Sequence, residues 1–142
     1  MNKTLELDHQ IKIDASPEQI WDALINPEKI KQYLYGTEAI SDWKTGSQII
    51  FQGKWEGKKY RDKGIIIDII PNKLLRYDYW SGLSGLEDKR ENYSELTFEI
   101  SPVNNSSVLK LKQKGFANEK AKSHSLESWK TVMEKIKEIV EN

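Results

Sequence analysis

Tyr77 and Tyr79 stand two residues apart in the run LLRYDYW at residues 74–80. In an extended chain that spacing puts both phenols on one face with Leu75, opposite Arg76 and Asp78. Gln113 falls in phase with Leu109 and Leu111 in another alternating run, and Phe116 follows close behind it. Trp129 and Met133 are four residues apart, one turn along a helix. An apolar, aromatic face carrying a few phenol, amide and indole groups suits a pocket for a small, largely apolar ligand. Buried polar tips need partners, and water or a ligand in a cavity supplies them more easily than a dry core. Tyr33 and Trp55 are candidates for the rim. Taken singly, each of these residues reads equally well as core, and the Gln113 amide equally well as a structural bond to neighbouring backbone or a tyrosine.

Chemistry that breaks bonds is harder to find. There is no cysteine, hence no thiol nucleophile, disulfide or thiolate metal site. His9 lies in phase with Leu5, Leu7, Ile11 and Ile13 but has no second ionisable group placed with it, so it reads as structural rather than as a general base. His124 is too remote in sequence to share a metal with it, and no metal or cofactor is expected. Asp62, Asp68 and the Glu87-Asp88 pair read as solvated or lysine-paired. No nucleophile elbow, phosphate-cradling loop or paired-carboxylate signature is present, and a catalytic role is not favoured.

The elements that must position these groups are legible in order. Residues 5–13 alternate as a strand. Ser16, Pro17 and Gln19 then form a capping box with proline at the first helical position, opening a helix with Ile20, Trp21 and Leu24 on its apolar stripe. Asn26-Pro27 ends that helix and starts a second, carrying Ile30, Tyr33 and Leu34. After a polar connection at residues 41–47, strands are predicted at 48–52, 64–70, 74–80, around Leu96, Phe98 and Ile100, and around Leu109 to Gln113. The 64–70 run is almost wholly apolar, which predicts cover on both faces. Residues 81–92 fit neither period and read as a mobile loop. Lysines at 110–114 point outward and read as protection against edge pairing. From about Ser123 the period becomes helical, with Leu126, Trp129, Met133, Ile136 and Val140 in one stripe that only the concave side of the meander could bury.

The 142 residues suffice for one domain, 1–142. Twenty-two basic and 22 acidic side chains cancel, leaving no field to recruit nucleic acid or an anionic membrane. No segment approaches a membrane span, no membrane insertion is expected, and the polar N-terminus suggests a cytoplasmic protein.

The order of elements resembles a helix-grip domain of the START and polyketide-cyclase type (START-like, Bet v 1-like). More narrowly, it resembles the family named after the C-terminal domain of the activator of Hsp90 ATPase. The stretches that carry the likeness are IDASPEQIWDALINPEKI at 13–30 with Trp21, SDWKTGS at 41–47 and DKGIIIDIIPNKLLRYDY at 62–79. SELTFEI at 94–100, VLKLKQKGF at 108–116 and the helix around Trp129 complete it. The resemblance implies an α+β fold, a curved antiparallel sheet wrapped around a long C-terminal helix, with two short helices after the first strand. It implies binding of a small hydrophobic molecule, a lipid or polyketide-like aromatic, between sheet and helix. The alternatives are a cyclase- or aromatase-like enzyme and an Hsp90-associated stress-response co-chaperone. Hsp90 itself is not an expected partner, because the eukaryotic co-chaperone has a further N-terminal domain for which this chain has no room; a homodimer stays open.

Overall fold

A computed structural model describes all of residues 1–142. The chain runs β1 (Asn2–Ile13), α1 (Pro17–Ile25), α2 (Pro27–Tyr33), β2 (Glu38–Ser41), β3 (Gln48–Trp55) and β4 (Lys58–Ile70). It continues through β5 (Leu74–Tyr79), a 3-10 turn (Arg90–Asn92), β6 (Ser94–Val103), β7 (Ser106–Phe116) and α3 (Glu119–Glu141). Seven antiparallel strands form one sheet in the order β1-β7-β6-β5-β4-β3-β2. This is the helix-grip arrangement expected, with α3 laid across the concave face.

Local rules account for the helices. Ser16 Oγ accepts from the Gln19 N–H at 3.2 Å while Gln19 Oε1 accepts from the Ser16 N–H at 2.9 Å, the reciprocal capping box. Asn26 both ends α1 and caps α2, accepting from the Glu28 N–H at 3.0 Å. These helices, too short to be stable alone, bury Ile20, Trp21, Ala23, Leu24, Ile30 and Tyr33 against the sheet. The far half of α3 buries Val132, Met133 and Ile136 in the same core. Its end is tied to β1, where Lys137 Nζ donates to the Lys12 carbonyl at 3.2 Å and Glu141 accepts from the Asp14 N–H at 2.7 Å. No helix is long and apolar enough to cross a membrane.

Four expectations need correction. The long helix begins at Glu119, capped by Asn118 accepting from the Ala121 N–H at 2.9 Å; its first turn is polar, so the apolar period starts later than the helix. Strand β2 went unread because it is four residues long and pairs only with β3. The apolar run in β4 is not covered on both faces: Ile67 and Ile70 are 41% and 45% exposed on the convex side, where no helix packs. Strand β7 is no edge, since it pairs with β1 and β6. Its lysines instead face acidic neighbours, Lys112 standing 3.8 Å from Glu6.

Strand β4 shapes the concavity. Its first half pairs with β3 across a turn at Glu56-Gly57, both at positive φ. Its second half pairs with β5, with a register shift between Ile66 and Asp68 that leaves Ile67 unpaired as a bulge. At the changeover Gly64 lies so close to β5 that a Cβ would stand 1.7 Å from the Asp78 carbonyl oxygen.

Candidate functional site

A cavity of about 480 Å³ opens between the sheet and the first half of α3. Its floor comes from alternate residues of neighbouring strands: Phe51 of β3, Tyr77 and Tyr79 of β5, Leu96 of β6 and Gln113 of β7. Ser125, Ser128 and Trp129 of α3 form the roof. The mouth is framed by Tyr35 and Thr37 after α2, by Trp55 and Tyr60 of the β3–β4 hairpin, and by Leu83.

The aromatic rings form a connected wall. Phe51 lies 6.0 Å from Tyr77 and 6.2 Å from Tyr79, Tyr77 stacks on Phe98 at 6.4 Å, and Phe98 meets Trp129 edge-on at 5.7 Å. Polar tips in that wall are mostly fixed. The Trp129 indole donates to Gln113 Oε1 at 2.8 Å, and the Gln113 amide donates to Ser94 Oγ at 3.2 Å. The Gln113 amide is therefore held at both ends, by side chains rather than by the backbone or tyrosine partner anticipated. Thr37 and Tyr60 share a hydrogen bond at the mouth. The Tyr79 hydroxyl donates to Asp62 Oδ2, and the Gly82 N–H donates to Asp62 Oδ1 at 3.1 Å. Tyr77 is 5% exposed, and its hydroxyl forms no hydrogen bond within the protein, which leaves it to the cavity.

Of the residues singled out in the sequence, Tyr77, Tyr79, Gln113, Trp129 and Trp55 stand together in the cavity wall. Tyr33, Phe116 and Met133 do not. Tyr33 donates its hydroxyl to the Ala23 carbonyl at 2.8 Å and lines only a small apolar crevice beside the cavity. Met133 is fully buried in the core, and Phe116 is buried outside the wall. Sequence reasoning missed Phe51, Tyr60 and Asp62. Asp62 is neither solvated nor lysine-paired; it is 8% exposed and tied to Tyr79 and Gly82. A signal was present, because Tyr60, Asp62, Gly64 and Ile66 continue one period-two face through a run obscured by charge. Asp88 does pair with lysine, 2.5 Å from Lys63, and the 81–92 segment is pinned by that pair, by Arg90 to Asp78 at 2.6 Å and by the Trp80 indole donating to the Leu86 carbonyl at 3.1 Å. No three His, Cys, Asp or Glu side chains group as metal ligands.

Burial pushes the phenols of Tyr33, Tyr77 and Tyr79 well above their usual range; for Tyr79 the Asp62 charge and hydrogen bond add to it. A phenol raised on folding stabilises the fold below its unfolded value and loses that contribution as pH climbs toward the folded one. Stability should therefore fall above about pH 10. In an absorbance titration these three tyrosines should ionise only together with unfolding; smooth ionisation of all six without loss of circular dichroism would contradict the burial.

The profile of the family described as Activator of Hsp90 ATPase homolog 1-like protein matches residues 14–141. The solution structure of ChR145 from Cytophaga hutchinsonii superposes with a TM-score of 0.86 at 39% identity, over 100% of this chain and 97% of that one. The Aha1 dimer from Colwellia psychrerythraea gives 0.75 at 19% identity, over 97% of each chain. CalU16 from Micromonospora echinospora gives 0.74 at 16% identity, over 95% of this chain and 73% of its own. No curated protein matches.

Proposed function

Since the chain belongs to the activator of Hsp90 ATPase homolog 1-like family, we propose that it binds a small, largely apolar molecule in the cavity between the sheet and the first half of α3. The observation that carries this reading is the cavity itself. Its volume of about 480 Å³ lies in the range of ligand pockets, roughly 300–1,000 Å³. Ten of its 15 lining residues are hydrophobic, so the bulk of an occupant must be apolar. The fixed Gln113 amide and the free Tyr77 hydroxyl supply orientation. A preformed wall lowers the ordering cost of binding.

The test uses the neutral fluorophore N-phenyl-1-naphthylamine. Its emission should rise saturably with the protein, and melting should rise with its concentration by mass action, about 2.7 kcal/mol at 100 times Kd. Ser128→Trp, at a solvent-accessible position of α3 that lines the cavity, should abolish both effects without unfolding the chain. No binding, or undiminished binding by Ser128→Trp, would refute the reading.

A catalytic role is a second reading, favoured by one observation: Asp62 and Tyr79, an acid hydrogen-bonded to a phenol, border the space a substrate would fill. Conversion of a bound candidate by purified protein, lost in Tyr79→Phe, would support it.

A further inference from the structure

The cavity wall contains one carboxyl group, Asp62, and no Lys, Arg or His. Asp62 is 8% exposed, yet no cationic nitrogen lies within 4.0 Å of its oxygens. Its neighbour Lys63 is turned to Asp88 at 2.5 Å. The two hydrogen bonds it accepts come from neutral donors, the Tyr79 hydroxyl and the Gly82 N–H. Each carboxylate oxygen has two acceptor sites, so one on each is left unused. A buried charge without a counter-charge is costly, and a cation placed beside it would recover much of that cost. The same cavity wall holds Tyr60, Tyr77, Tyr79 and Trp55, aromatic rings of a kind that attracts cations and discourages anions. A carboxylate or phosphate head group seated beside Asp62 would meet repulsion there, with no cationic nitrogen within 4.0 Å of that carboxyl to offset it.

Resting on the cavity reading above, the geometry points to a ligand class: apolar molecules that carry a protonated amine, with the amine seated at Asp62 and the tail against Phe51, Leu96 and Trp129. The same wall disfavours fatty acids and other anionic lipids.

The experiment is displacement of N-phenyl-1-naphthylamine from the intact chain, near neutral pH, by three molecules of one shape: 4-phenylbutylamine, 4-phenylbutan-1-ol and 4-phenylbutyrate. The amine should bind about tenfold more tightly than the alcohol, and the carboxylate more weakly than either. In Asp62→Asn, which keeps the shape and one of the two acceptor oxygens, the amine should lose its lead and fall to within about twofold of the alcohol. The comparison among the three ligands on the unchanged protein stands even if that variant fails to fold. An amine no tighter than the alcohol, a carboxylate as tight as the amine, or a preference that survives Asp62→Asn would overturn the ligand class while leaving the cavity reading intact. Failure of the fluorophore and all three molecules to bind would overturn both.

Discussion

Gly64→Ala is expected to lower stability by about 3 kcal/mol or more, the largest effect among the glycines of this chain. The new Cβ would stand 1.7 Å from the Asp78 carbonyl oxygen, 2.6 Å from its carbon and 3.0 Å from its Oδ1. Two of those atoms are backbone and cannot rotate away, so β4 and β5 would have to part. Parting them breaks the hydrogen bond from the Ile65 N–H to Asp78 Oδ1 at 2.7 Å and the paired bonds between Lys63 and Trp80 at 3.0 and 2.8 Å. It also displaces Asp62 and Tyr79, which flank the contact and meet in the cavity wall. Gly53→Ala provides the control. There the nearest atom is the Tyr60 hydroxyl at 2.8 Å, on a side chain that can turn aside, so the loss should be much smaller. Urea midpoints at unchanged slope measure both; a Gly64→Ala variant within about 0.5 kcal/mol of the parent would show that the strands do not approach so closely.

What the sequence made legible is what local rules determine. The capping box at Ser16 and the Asn26-Pro27 junction depend on residues three or four apart, and both helices form where those rules place them. Alternation likewise fixed the inward faces of β1, β5, β6 and β7, and with them Tyr77, Tyr79 and Gln113. Strand β2 was hidden because four residues carry too short a pattern. The first half of β4 was hidden because KKYRDKG holds more charge than a strand ordinarily shows. The role of Asp62 depends on Tyr79 and Gly82, 17 and 20 residues away, and pairing across that distance leaves no periodic trace. The lysines of β7 were misread for a related reason: pairing of the first strand with the last is a property of the closed sheet, not of either segment. Ile67 and Ile70 mislead because an apolar run implies cover on two faces, whereas here every helix packs on one.

Met133→Ala is expected to lower stability by about 2–5 kcal/mol, with a fall in melting temperature of roughly 4 °C per kcal/mol. Trp129, in the same apolar stripe one turn earlier, should behave differently. Met133 is wholly enclosed among the core residues of the sheet, α1 and α2, so shortening it leaves a void that nothing can fill. Trp129 is only half-buried and already borders open space, so its removal enlarges a cavity that exists. Its loss frees Gln113 Oε1 from the 2.8 Å indole bond and takes away the ring that meets Phe98. Trp129→Ala should therefore fall below the roughly 3–5 kcal/mol of a fully buried tryptophan, yet change the affinity for a neutral apolar probe. Met133→Ala should leave the affinity of its folded fraction almost unaltered. The two halves of α3 thus divide their work: one closes the core, and the other roofs a space left open. Equal stability losses from both variants, with no change in probe affinity for Trp129→Ala, would mean that the whole stripe belongs to the core and that α3 roofs no binding site.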